Sequence, residues 1–145
     1  MKSVLEKSLP LILLAVTLGG CNSTQPTAES SRPEQSVMVT AANETAAMAR
    51  LRAIAVAEAS YNAESAGEYA PLDRLVEKRY VSNPSSGKLT GYRFEVQVKP
   101  GGFQVTAVPE KFGVTGKRSF YIDETNILRA ADKKGAPASA ADPEA

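Results

Sequence analysis

The chain contains no histidine and no tryptophan, and its 145 residues include a single cysteine, Cys21. Without histidine it lacks the side chain that most often serves proteins as general base and as metal ligand. Serine and threonine have no imidazole to activate them, which excludes a serine–histidine–aspartate site. One cysteine cannot form an internal disulfide. The sequence therefore predicts a non-enzymatic protein without a resident cofactor or metal.

A serine–lysine pair needs no histidine and remains open as a catalytic alternative. Ser119 lies near Lys117 in the sequence, and Ser86 lies near Lys88. Both pairs stand where the chain turns or a strand begins, so we interpret them as turn and strand-edge residues.

The chain has no marked excess of positive or of negative charge. The full chain has 17 basic and 16 acidic side chains, and removal of residues 1–20 would take away Lys2, Lys7 and Glu6, leaving 15 of each. Nucleic-acid binding needs clustered lysine and arginine that neutralise phosphates. A neutral chain without a basic stripe predicts no nucleic-acid partner.

Long apolar runs are also missing. The longest precedes the cysteine, where Leu9–Leu18 is apolar apart from Pro10 and Thr17, with Lys2 and Lys7 before it. A transmembrane helix needs roughly 20 apolar residues, about twice this length. A positive start, a short apolar run and small residues are typical of an export signal.

The sequence Leu18-Gly19-Gly20-Cys21 resembles the lipobox of bacterial lipoproteins. The resemblance implies cleavage between Gly20 and Cys21, a diacylglycerol on the Cys21 sulfur and often acylation of the new amino terminus; no other cofactor is expected. Two or three acyl chains anchor a protein firmly, whereas one binds marginally. Asn22 favours the outer membrane over the inner. We expect a lipid-anchored envelope protein facing the periplasm; the alternative is an ordinary secretory signal followed by a chance cysteine.

Composition divides the chain into four parts. Residues 1–20 are interpreted as the signal peptide, and residues 21–39 as the acylated cysteine with a flexible tether, because residues 22–36 are polar and contain two prolines. Residues 40–130 hold nearly all the large apolar side chains and predict one folded domain. Residues 131–145 are small and polar and predict a flexible tail.

The hydrophobic periodicity predicts an α+β domain. An alanine-rich helix is expected over 40–66 and a short helix over Pro71–Lys78. Alternating apolar residues then predict strands: Tyr92, Phe94, Val96 and Val98; Phe103, Val105 and Ala107, ended by Pro109; Phe120 and Ile122 within Ser119–Asp123; and a short fourth over 127–130. One long N-terminal helix packed on a three- to four-stranded antiparallel meander is the predicted architecture.

These segments, in this order, resemble the globular half of type IV pilins and of type II secretion pseudopilins. The stretches that carry the resemblance are Leu51-Arg52-Ala53-Ile54 with Glu58 and Tyr61, Tyr69-Ala70-Pro71-Leu72 with Leu75, Gly91-Tyr92-Arg93-Phe94, Gly102–Pro109, Gly116–Asp123 and Ile127–Ala130. They span about 80 residues, and no single motif among them is specific.

The chain departs from that family at its start. Family members begin their mature chain with a methylated phenylalanine, a nearby glutamate and about 20 unbroken apolar residues, and none of these is present. The resemblance therefore implies the pilin-like fold without filament building. It suggests a structural or adaptor protein that contacts a type IV pilus or a type II secretion-type machine. The alternative is a periplasmic ligand-binding module with a pocket lined by Tyr92, Phe94 and Phe103.

Two groups of residues are candidate sites. Asp123, Glu124 and Asn126 offer oxygen ligands of the kind that Ca²⁺ prefers, and some pseudopilins bind calcium near their C terminus, although here a polar hairpin turn is the simpler interpretation. Phe112 stands in a glycine-bounded loop, and Tyr121 opposes the apolar face of its strand. Both are expected to be exposed and to mark a protein contact surface.

Overall fold

A computed structural model of the chain describes residues 32–83 and 91–145. It has two helices, α1 (Arg32–Glu64) and α2 (Leu72–Glu77), and four strands, β1 (Tyr92–Lys99), β2 (Gly102–Pro109), β3 (Ser119–Asp123) and β4 (Arg129–Ala131). The strands form one antiparallel sheet in the order β1-β2-β3-β4. The predicted α+β class, with one long helix and an antiparallel meander, is confirmed. The predicted signal peptide, its cleavage site and Cys21 lie outside the described residues.

The core lies between α1 and one face of the sheet. Leu51 and Ile54 of α1 are fully buried, as are Phe120 and Ile122 of β3. The register places Val105 opposite Ile122, so the apolar residues of neighbouring strands share the face that α1 covers.

Helix α1 begins at Arg32, eight residues before the predicted start. A proline at position 33 suits a first turn, where its missing N–H costs no hydrogen bond, and Glu34 complements the positive end of the helix dipole. The predicted tether at 21–39 is therefore wrong for residues 32–39, which are helical. Apolar periodicity could not find this start because residues 34–39 are all exposed and therefore form no buried apolar face.

The segment 132–145 packs against the sheet, although its composition predicts a flexible tail. The backbone N–H of Ala130 donates to the Pro143 carbonyl at 2.9 Å, and that of Ala145 donates to the Leu128 carbonyl at 3.0 Å. The Arg129 guanidinium also donates to the Asp142 carbonyl at 2.9 Å. The edge of β4 would otherwise present unpaired backbone groups, and these residues satisfy them.

Candidate functional site

The two predicted contact residues have opposite environments. Phe112 is 42% exposed, as expected, whereas Tyr121 is only 4% exposed. Tyr121 lies on the sheet face away from α1, beside Arg129, whose guanidinium is held by Asp142 of the segment 132–145. Burial, together with hydrogen bonding to Asp123, raises the pKa of Tyr121 to about 12. The prediction of an exposed Tyr121 is wrong because strand alternation identifies two faces but not what covers the second.

The loop that carries Phe112 is attached to the first half of α1. The Thr40 hydroxyl donates to the Val114 carbonyl at 3.3 Å, and the Asn43 side-chain amide donates to the Thr115 carbonyl at 3.0 Å. Within the loop, the Lys111 backbone N–H donates to the Thr115 hydroxyl at 3.0 Å. These bonds hold the loop tip beside α1.

Glu44 fixes the far end of the same loop. Its Oε1 accepts hydrogen bonds from the backbone N–H groups of Lys117 and Arg118 at 3.0 and 3.2 Å, and its Oε2 accepts from Arg118 Nε at 2.9 Å. Burial alone would raise the pKa of Glu44, but the hydrogen bonds from Lys117 and Arg118 outweigh it and hold the pKa below its ordinary value.

Three large apolar side chains are exposed on this loop and on the first turns of α1. Val37 and Val114 are each 64% exposed, and Phe112 adds a third apolar side chain. Val37 precedes Thr40 by three residues and therefore lies on the same side of α1, toward Val114. We name Val37, Phe112 and Val114 the loop-end patch. Val37 lies in the second turn of α1, and Phe112 and Val114 lie on the loop that is bonded to Thr40 and Asn43.

The calcium candidates lie in one turn, but the turn itself uses their oxygens. Asp123 Oδ1 accepts from the Thr125 backbone N–H at 3.0 Å, and its Oδ2 accepts from the Tyr121 hydroxyl at 2.9 Å. Glu124 Oε2 accepts from the Phe103 N–H at 3.3 Å. Burial raises the pKa of Asp123, but the hydrogen bonds from Thr125 and Tyr121 together with the charge of Lys99 outweigh it, and the pKa is lowered. Within the described ranges no group of three or more histidine, cysteine, aspartate or glutamate side chains could hold a metal.

Of the two serine–lysine pairs considered as a catalytic alternative, the one in the described part of the chain is not accessible as a pair. Ser119 is fully buried, whereas Lys117 is exposed on the loop. The other pair, Ser86 with Lys88, lies outside the described residues.

The pocket that a ligand-binding module would need is filled. Tyr92, Phe94 and Phe103 all belong to the buried core, and the Tyr92 ring lies 5.7 Å from that of Phe120. Phe103 also lines a shallow depression of about 140 Å³ beside Tyr69 and Val56. The three aromatic residues thus stabilise the fold.

Sequence reasoning assigned no structural role to two carboxylates that position the elements around the site. Besides Glu44, Glu58 is fully buried on α1, and its Oε2 accepts from the Ala70 N–H at 3.0 Å. Its Oε1 has no partner among the described residues, and burial raises its pKa. The spacing of seven residues from Leu51 already places Glu58 near the buried side of α1 in the sequence, but it does not show that the Ala70 N–H is its partner.

No helix in the described part of the chain combines the length and apolarity that crossing a membrane requires. Comparison with protein-family models, with curated proteins and with solved structures finds no match.

Proposed function

We propose that this chain is a lipid-anchored protein of the bacterial cell envelope. Its pilin-like domain serves as a non-catalytic structural or adaptor component that contacts a type IV pilus or a type II secretion-type machine. The observation that carries the proposal is the loop-end patch, three exposed apolar side chains on α1 and on the loop bonded to it.

The architecture supports the pilin-like part of the proposal. A single long helix packs across one face of a sequentially ordered four-stranded antiparallel sheet, as the resemblance implies. Helix α1 has 33 residues and is about 50 Å long, and residues 34–39 are all exposed at its start.

The chain length between the anchor and the domain supports the location of the contact. Cys21 precedes Arg32 by 11 residues, which can span at most about 40 Å when fully extended. A lipid on Cys21 would therefore keep the start of α1 within this distance of the bilayer, and Val37, five helical residues further on, within about 8 Å more. Partners embedded in or assembled at the membrane lie within that reach.

The chemistry of the patch favours a protein partner. Its three apolar residues are bordered by the exposed charges of Lys111 and Lys117. An apolar centre with a charged rim is typical of a transient protein interface. The loop is held at its tip and at its β3 end by hydrogen bonds to α1, so little conformational entropy is lost on binding.

The test places a photocrosslinking amino acid at position 112 or 114 of the full chain in living cells. Asp73, exposed on α2, is the matched control position. We expect pilus or secretion components to be crosslinked from 112 and 114 but not from 73, and to be lost in Cys21→Ala.

Two results would contradict the proposal. One is the absence of any such component at both patch positions. The other is membrane attachment and processing that neither Cys21→Ala nor globomycin changes.

A further inference from the structure

The side of α1 that faces away from the sheet is almost uncharged over five turns. Exposed residues follow one another there in steps of three or four: Glu34, Met38, Ala42, Thr45, Ala49 and Arg52. We name these six the outer stripe. A surface helix usually carries its charged residues on this side, opposite the core.

Large apolar side chains are exposed at the first half of this stripe. Met38 is 72% exposed, and the neighbouring Val39 is 55% exposed. Ala42, Thr45 and Ala49 continue the stripe with short side chains, which allow a second helix to approach closely. The alternating steps of three and four are those of residues that pack between two long helices.

The two charges of the stripe have opposite signs and lie at its two ends. Glu34 and Arg52 are 18 residues apart, which is five turns of helix, so both project in the same direction about 27 Å apart. The structure gives neither one an ion pair with another described residue.

The stripe is complementary to itself in one orientation. If a second α1 runs antiparallel with the centre between residues 43 and 44, Ala42 lies opposite Thr45 and Met38 lies opposite Ala49. In that register Glu34 of each copy lies opposite residue 53 of the other, next to Arg52. The two-fold symmetry therefore forms this Glu34–Arg52 pair two times. The long side chain meets the short one, and the opposite charges meet.

We propose that two copies of this chain associate through their outer stripes as an antiparallel pair of α1 helices. A two-fold axis relates the copies, so one surface serves both. The sheets do not obstruct the pair because they lie on the opposite side of α1, the side of Leu51 and Ile54. A parallel pair would place Glu34 against Glu34 and Arg52 against Arg52, which is unfavourable.

The orientation is tested by disulfide formation in membranes that contain the full chain. Ala42→Cys/Thr45→Cys puts thiols at the centre of the antiparallel pair, where oxidation should yield a covalent dimer. Ala59→Cys/Ala63→Cys is the matched control, on the same side of α1 but about 50 Å from its counterpart in that pair. The unsubstituted chain shows whether Cys21 itself contributes.

Charge reversal tests the register. In the Ala42→Cys/Thr45→Cys background, Glu34→Arg and Arg52→Glu should each lower the dimer yield roughly threefold to tenfold, because each brings like charges together twice. The two reversals combined should restore the yield, since opposite charges meet again.

Three outcomes overturn the proposal. They are a central variant that forms no dimer although its thiols react with a maleimide, a control variant that forms dimers equally well, and a combined reversal that restores nothing. Equal dimers from both cysteine pairs would indicate a parallel arrangement. A crosslink only to a different protein would indicate a foreign helix on the stripe.

Discussion

Glu44 and Arg118, 74 residues apart in the chain, are joined by two hydrogen bonds, from the Arg118 backbone N–H at 3.2 Å and from its Nε at 2.9 Å. The pair connects α1 to the residue that leads into β3. It also closes the loop that carries two of the three residues of the loop-end patch. The contact surface therefore depends on a buried carboxylate that is not part of it.

Replacement of Glu44 tests this dependence. Glu44→Ala leaves the N–H groups of Lys117 and Arg118 without their acceptor, and we expect the free energy of unfolding to fall by about 1–3 kcal/mol at pH 7. Because the folded-state pKa is lowered, the stabilisation is present above pH 4.5, the ordinary value, and is lost as pH falls through the folded-state pKa. In denaturant titrations, the difference in unfolding free energy between the unsubstituted chain and Glu44→Ala should be smaller at pH 3 than at pH 7. Glu68→Ala, an exposed change, is the control, and an equal loss there would argue against the assignment.

Glu58 should have the opposite pH dependence. Burial raises its folded-state pKa above the ordinary 4.5, so the folded state binds the proton more tightly and this group favours folding more as pH falls toward 4.5. Its contribution is lost as pH rises through the folded-state pKa. Glu58→Gln keeps an acceptor for Ala70 but no ionisable group, so we expect a flatter stability profile between pH 4.5 and 8 and a gain of about 1 kcal/mol at pH 8. Unfolding curves of the unsubstituted chain and of Glu58→Gln between pH 4.5 and 8 test this. If the unfolding free energies of the two change in parallel with pH, the prediction is contradicted.

Position 116 should not tolerate a residue with a side chain. A Cβ at this position would lie 1.9 Å from the Tyr92 hydroxyl oxygen and 2.5 Å from the ring carbon that carries it. That hydroxyl donates to the Arg118 carbonyl at 2.7 Å, so the ring cannot move without losing the bond. Gly116→Ala should cost about 1–3 kcal/mol of unfolding free energy by thermal or chemical denaturation.

Gly102→Ala provides the comparison for that measurement. Its Cβ would meet the Glu124 carboxylate at 2.8 Å, and this exposed side-chain end can move aside with the loss of only one long hydrogen bond, the 3.3 Å bond from the Phe103 N–H. We expect the smaller loss at Gly102. The reverse order would show that the Tyr92 ring has room to shift.

The packing of the segment 132–145 predicts hydrogen-exchange protection at the edge of β4. The N–H of Ala130 donates to the Pro143 carbonyl, so a chain ending at Ala138 should exchange this proton at least tenfold faster. The N–H of Ile122 in the centre of the sheet serves as the internal reference. Equal protection of Ala130 in the full and shortened chains would mean that the segment does not hold the edge.

Local patterns were sufficient to predict the elements in the folded part. Alternation at Tyr92, Phe94 and Val96 predicted β1, and Pro109 predicted the end of β2, both as observed. The residues Ser119–Asp123 were also predicted as β3. These predictions succeed because strand periodicity and the missing N–H of proline act over only a few residues.

The lipid anchor on Cys21 remains a prediction from the sequence. Its evidence is the order of charges, apolar residues and small residues before the cysteine. Those are features of a linear segment that an enzyme would read before folding, so no contact in the domain bears on them.

Sequence alone determined the class of the domain, the strand faces and the absence of imidazole chemistry, because each depends on residue identity and short-range spacing. Only the tertiary structure decided that Tyr121 is buried, that residues 132–145 cover the edge of β4 and that Glu44 reaches Arg118. The physical reason is the same in each case. Burial and hydrogen bonding depend on which distant segment arrives, and neither composition nor periodicity specifies that partner.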